Sequence, residues 1–179
     1  MKKLFLIVLI ICLCASLCLV GCGTPDLYNL SNFLLPEDIA FIKVVEELKS
    51  ARQICQYIYD NFIYKTHLFY GLSPYELYLI EEGDCNDFST FVVFILTFHR
   101  KTAYQIRIFL KGFSATHYIA VFYKGDKLEF TDNWSYFEIA ADNFEEIVEY
   151  ACLMGEWEWT KYVVYDHNME IVEVMKKAK

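Results

Sequence analysis

The feature that most limits how this chain can fold lies at its start. Lys2 and Lys3 are followed by residues 4–20, which are apolar or small without interruption. A charged region followed by an apolar region is the pattern of a secretory signal, and such a segment belongs to no folded core. The alternative for so long an apolar stretch is a transmembrane anchor, since a helix needs about 20 residues to cross a bilayer. No later segment is apolar over a comparable length, so the remainder is expected to fold outside the bilayer.

Directly after the apolar region stands Leu19-Val20-Gly21-Cys22, which resembles the lipobox of bacterial lipoproteins. The resemblance implies cleavage before Cys22 and lipid attachment, palmitate included, on that cysteine. It also implies an extracytoplasmic location, with the protein held on a bacterial membrane by its anchor. The expected organisation is a signal peptide over residues 1–21, the lipidated cysteine and a short tether over 22–36, and one domain over 37–179. The tether carries Leu27, Tyr28, Leu30, Phe33, Leu34 and Leu35, too apolar for a free linker, and is expected to pack soon on the domain.

Cleavage would remove two of the 16 basic residues and none of the 24 acidic ones, moving the formal net charge from −8 to −10. A surface of that sign argues against nucleic acid as a partner. About 157 residues remain, the size of a single domain with its own core. Of the seven cysteines, only Cys55, Cys85 and Cys152 lie beyond Cys22. An odd number leaves at least one thiol without an intramolecular partner, so disulfides are not expected to hold the fold.

Along the domain, Glu37 and Asp38 suit a first helical turn. Phe41, Val44, Val45, Leu48, Ala51, Cys55, Ile58 and Phe62 then recur at three- and four-residue steps, which predicts one long amphipathic helix with Cys55 on its buried stripe. Residues 63–71, with His67, read as a loop. Ser73-Pro74 opens a short helix reaching Leu79, which Glu81-Glu82-Gly83 ends. A second strong helix starts at Asp84, with Asp87 three positions on in the manner of a capping box, followed by an apolar run over 91–98.

Beyond His99 the pattern turns β-rich, with strands predicted over 104–110, 116–123 and 127–132 as an antiparallel meander. Asp142 with Glu145 opens a further helix closed by Gly155, and strands follow over 158–165 and 169–175 around Asp166-His167-Asn168. The expected class is α+β, with N-terminal helices packed on an antiparallel sheet.

Three residues stand out chemically. Cys85 falls in the first turn of its helix, where exposed N–H groups and the helix dipole favour a thiolate. A two-residue hairpin at Gly125-Asp126 sets Lys124 opposite Lys127 and Ile119 opposite Asp132. His117 and Asp132 then become diagonal neighbours on one face, within reach of an imidazole meeting a carboxylate. A three-residue turn would send Asp132 to the other face.

Gly83-Asp84-Cys85 opening a helix, His117 early in a strand and Asp132 on the next strand resemble the transglutaminase-like cysteine protease superfamily, over roughly residues 50–134. Tyr64 also sits where that family often has an aromatic residue. The resemblance implies a papain-like core and a triad in which Cys85 is the nucleophile, His117 the general base and acid, and Asp132 the orienting group. It implies an acyl-enzyme formed on a peptide or amide bond of an envelope substrate, released to water or an amine. The backbone N–H of Cys85 is one candidate oxyanion donor; sequence identifies no second.

The chain lacks the tryptophan that the family often places shortly before the aspartate, having Leu128, Glu129, Phe130 and Thr131 there. It lacks the Arg-Gly-Gly-x-Cys pattern of arylamine acetyl transfer. No Cys-x-x-Cys or His-Glu-x-x-His spacing supports a metal site, and no cofactor is expected. The competing reading is a non-catalytic envelope lipoprotein that keeps the fold to bind a partner.

Overall fold

The computed structural model describes residues 37–66 and 71–177, so Cys22, the tether and His67 lie outside the described residues. Among the described residues no helix is long and apolar enough to cross a membrane.

The predicted long first helix is two helices, α1 (Ile39–Glu47) and α2 (Ala51–Asn61). Asp38 caps α1 by accepting from the Ala40 and Phe41 N–H groups. The break comes at residues 48–50, where Ser50 starts a new cap: its hydroxyl accepts from the Gln53 N–H, and the Gln53 side chain accepts from the Lys49 N–H. Distant partners take carbonyls left free at the break. His99 Nε2 donates to the Val45 carbonyl and Lys101 Nζ to that of Lys49, at 2.8 and 2.7 Å. Both helices still bury one stripe, Phe41 and Val45 on α1 and Ala51, Ile54, Cys55 and Ile58 on α2.

The segment predicted as a loop after Phe62 begins with β1 (Ile63–Tyr64), which pairs in parallel with β2 (Glu82–Gly83). Between them lies α3 (Pro74–Ile80), capped by Ser73 and Glu76 acting on each other's backbone N–H and closed by Glu81 in the left-handed conformation. β2 leads straight into α4 (Cys85–Phe98), whose Asp84 and Asp87 form the expected capping box. Gly83 is needed at the join, because a Cβ there would come within 2.6 Å of the Leu77 side chain and 3.1 Å of an Asp87 oxygen. Phe88, Phe91, Val92, Ile95 and Leu96 of α4 are all fully buried, so this helix runs through the core instead of lying on it.

Six strands form one antiparallel sheet: β3 (Ala103–Leu110), β4 (Thr116–Lys124), β5 (Lys127–Asp132), β6 (Ser135–Ala141), β7 (Trp159–Tyr165) and β8 (Ile171–Lys176). Their spatial order is β6-β5-β4-β3-β7-β8. The strand β6 was not among the sequence expectations. Because Ala141 at its end still pairs with Leu128, the next helix starts one residue later than predicted. That helix, α5 (Phe144–Met154), is capped by Asn143, while the Asp142 N–H bonds to Glu146; Gly155 closes it as expected.

Side-chain alternation divides the core in two. Ala103, Ala120 and Phe122 pack with α1 to α4, whereas Ile106, Ile108, Ile119 and Val121 pack with Ile147, Val148 and Ala151 of α5. The fold is α+β, as expected from the sequence, with helices covering both faces of the sheet. Each fully buried Ile or Phe contributes roughly 1.5 to 3 kcal/mol by removal from water.

The β4–β5 hairpin has the expected two-residue turn. Lys124 pairs with Lys127 and Ala120 with Thr131, and Gly125 takes a φ of +70°, the first position of a type II′ turn.

Candidate active site

The sequence-selected residues meet at one end of the sheet. Cys85 is the first residue of α4, His117 the second of β4 and Asp132 the last of β5. His117 Nε2 lies 3.0 Å from Asp132 Oδ1. A carboxylate only accepts, so the proton on this side of the ring sits on Nε2, and in the neutral ring Nδ1 is left bare as a base. The Cys85 side chain stands near enough to the ring to act on its charge.

This arrangement controls the charge on His117, which is 8% exposed. Burial pulls its pKa down, but the hydrogen bonds and charges of Asp132 and Cys85 outweigh burial and hold it at about 9. At neutral pH the imidazole beside the thiol therefore favours its protonated form. Asn133, in the left-handed conformation after the aspartate, donates its side-chain amide to Asp132 Oδ1 at 3.0 Å and helps fix that carboxylate. The indole of Trp157 meets the imidazole edge-on, with ring centres 5.1 Å apart.

The other two thiols of the domain differ. All three cysteines are free and buried. Burial pushes the Cys55 thiol up to about 12 against the pull of Arg52, and Cys152 up to about 11. Both stay protonated at neutral pH and belong to the packing.

Comparison with solved structures places the chain near three structures of Legionella pneumophila LapG. One is 15% identical with a TM-score of 0.49 and covers 74% of this chain and 77% of that one. The calcium-bound form is 15% identical with a TM-score of 0.48, covering 75% and 79% of the two chains. The EGTA-treated form is 15% identical with a TM-score of 0.48, covering 71% and 74%. No family model and no curated protein matches the chain.

Two features of the site escaped the sequence reading. Tyr64 was noted only as an aromatic, yet its hydroxyl stands beside the side chain and the backbone N–H of Cys85. Pairing of Tyr64 with Gly83, two residues before the cysteine, carries it there. Burial, then the neighbouring Cys85 and Asp84, push the Tyr64 phenol up to about 12, so it keeps its proton and remains a donor.

Gln105 was not singled out either. Buried on β3, it directs its amide Nε2 into Asn86, Ser89 and Thr90 at 2.8 to 3.0 Å, which ties the first turn of α4 to the sheet. Only β-strand alternation, which turns Gln105 to the same side as Ala103, hints at it.

Two other histidines among the described residues have structural places. His99 caps the C-terminus of α4 and bonds to Val45, and His167 lies in the turn between β7 and β8. Among the described residues no group of three His, Cys, Asp or Glu is placed to hold a metal ion.

Proposed function

We propose that the protein is a lipid-anchored, extracytoplasmic thiol enzyme of the transglutaminase-like cysteine protease type, acting on peptide or amide bonds. The observation that carries the reading is His117 placed between Asp132, which its Nε2 meets at 3.0 Å, and the Cys85 side chain. That is the order nucleophile, base, orienting group which acyl transfer requires.

In the proposed reaction the Cys85 sulfur, having given its proton to His117 Nδ1, attacks the substrate carbonyl carbon. The carbonyl electron pair moves to oxygen, and the Tyr64 hydroxyl and the Cys85 backbone N–H, turned from the Tyr64 oxygen, serve as donors for that oxyanion. The carbon–nitrogen bond then breaks, with the His117 proton passing to the leaving amine, and a thioester remains on Cys85. Water or an amine next loses a proton to His117 and attacks the thioester, which releases the acyl group and returns the thiol. Asp132 holds the ring orientation throughout and stabilises the imidazolium, keeping its own charge.

Cys22 as the lipid site, with a membrane-bound location and an envelope peptide or protein as substrate, belongs to the same proposal and rests on the N-terminal sequence pattern.

The test is acyl-enzyme formation. Full-length protein in detergent is mixed briefly with p-nitrophenyl acetate and mapped by peptide mass. Acetylation of Cys85, lost in His117→Ala, is the expected result. Acetylation spread over the cysteines, or equal at Cys85 in His117→Ala, overturns the reading.

A further inference from the structure

The two edges of the six-stranded sheet differ. At one edge β6 is irregular: its pairing with β5 shifts register, Ala140 takes a φ of +53°, and Glu138 accepts from Arg52 of α2. At the other edge β8 pairs only with β7 among the described residues. Its apolar side chains stand in water, with Val174 48% and Met175 36% exposed. An open strand of this composition is a template for pairing with another strand, and natural edges are commonly covered or interrupted against it.

The bonding to β7 fixes which backbone groups are left over. The Lys177 N–H donates to the Thr160 carbonyl at 3.0 Å, and Met175 and Glu173 pair with Tyr162 and Val164. In an antiparallel pair a residue turns its N–H and C=O to the same side, and its neighbours turn theirs to the other. Glu173, Met175 and Lys177 therefore face β7, while Val174 and Lys176 direct both backbone groups outward. The register shift that pairs Val164 with Glu173 and Tyr165 with Ile171 skips Val172 and ends the regular run.

These positions are self-complementary. Two copies of β8 meeting antiparallel about a two-fold axis must match outward groups with outward groups, so the axis passes through a residue. Centring on Glu173 or on Lys176 sets like charges face to face, and centring on Val174 calls on the displaced Val172. Centring on Met175 pairs Val174 with Lys176 of the second copy and sets Glu173 opposite its Lys177, twice over by symmetry. The Glu173 carboxylate is already held in place, its Oε1 accepting from the Tyr162 hydroxyl at 2.6 Å, and Lys177 Nζ lies over the Trp159 ring at 4.8 Å.

We propose that β8 is an interface for a second copy of this chain, joined as an antiparallel strand pair about an axis at Met175, with Glu173 of each copy facing Lys177 of the other. The contact is small and belongs to the weak class. The lipid anchor proposed above raises the effective concentration at which two copies on one membrane meet. The interface is independent of the chemistry at Cys85.

The experiment introduces one cysteine into the full-length protein in detergent and oxidises briefly with copper phenanthroline and oxygen, which take two protons and two electrons from a pair of thiols. In the proposed register the two 175 positions form a non-hydrogen-bonded pair with Cα atoms about 4.5 Å apart, within the ~4.4–6.8 Å that a disulfide spans. Met175→Cys is expected to give a disulfide-linked dimer about tenfold faster than Ile171→Cys, although Ile171 is the more exposed at 62%. Wild type supplies the background from the native cysteines. Adding Lys177→Glu to Met175→Cys sets like charges opposite and is expected to slow the linkage about tenfold, and adding Glu173→Lys as well to bring it back within about twofold. Equal rates for the two cysteine variants, or a rate indifferent to Lys177→Glu, overturns the interface, and a reversed charge pair that stays slow overturns the register.

Discussion

Asp87 is the residue on which the placement of Cys85 depends most, and its replacement gives a defined expectation. It stands two positions after the cysteine and is 1% exposed. Its Oδ1 accepts from the Leu72 N–H at 2.6 Å and its Oδ2 from the Asp84 N–H at 2.8 Å, so one carboxylate binds the segment before α3 and the start of α4 together. In Asp87→Ala both N–H groups lose this acceptor, that of Leu72 in a buried place and that of Asp84 in a part-buried one. An unsatisfied group of this kind costs about 1 to 3 kcal/mol, so the pair gives a loss of roughly 3 to 4 kcal/mol. For a domain of this size that lowers Tm by roughly 10 °C. Asp87→Asn keeps one acceptor oxygen and nearly the same shape, and is expected to recover about half of the loss. Urea unfolding of the full-length protein followed by tyrosine and tryptophan fluorescence measures both. A cost below about 1 kcal/mol for the alanine variant, or an asparagine variant as stable as wild type, would refute the reasoning.

Two further expectations concern His117 and Asp132. His117 has its pKa raised from the ordinary 6.5 to about 9, so its contribution to stability is complete below pH ~6.5 and is lost as pH rises through 9. Wild type should lose up to about 3 kcal/mol over that window in urea titrations, and Asp132→Ala should flatten the slope; equal slopes would contradict the pairing. Inserting one glycine after Gly125 turns Asp132 to the other side of its strand. It should remove His117-dependent labelling of Cys85 while circular dichroism still reports the sheet, and persistence of that labelling would show that the register does not set the site.

The placement of Cys85, His117 and Asp132 was legible because each depends on local rules. Asp84 and Asp87 announce a helix start whose first residue is Cys85, and Gly125-Asp126 sets a register that the structure reproduces at Lys124 and Lys127. The break between α1 and α2 was missed because apolar spacing continues across it. The partners that stabilise it, His99 and Lys101, are about fifty residues away. A local sign was present in Ser50 followed three residues later by Gln53, a cap pattern hidden within a helical one.

The strand β6 was hidden for a different reason. Tyr136, Phe137, Ile139, Ala140 and Ala141 do not alternate cleanly, and Ala140 takes a φ of +53° where the pairing with β5 shifts register. The approach of Tyr64 to the thiol depends on a two-residue parallel pairing, too short to leave a pattern in the sequence.

The central claim is that His117 activates Cys85, and the rate of iodoacetamide labelling of Cys85 at pH 6 measures it most directly. At that pH the imidazole is charged, and only a sulfur that has passed its proton to the ring would react where an ordinary thiol scarcely does. The account predicts labelling of Cys85 about a hundredfold faster in wild type than in His117→Ala, of the order that a positioned base contributes. Equal rates in the two proteins would contradict it.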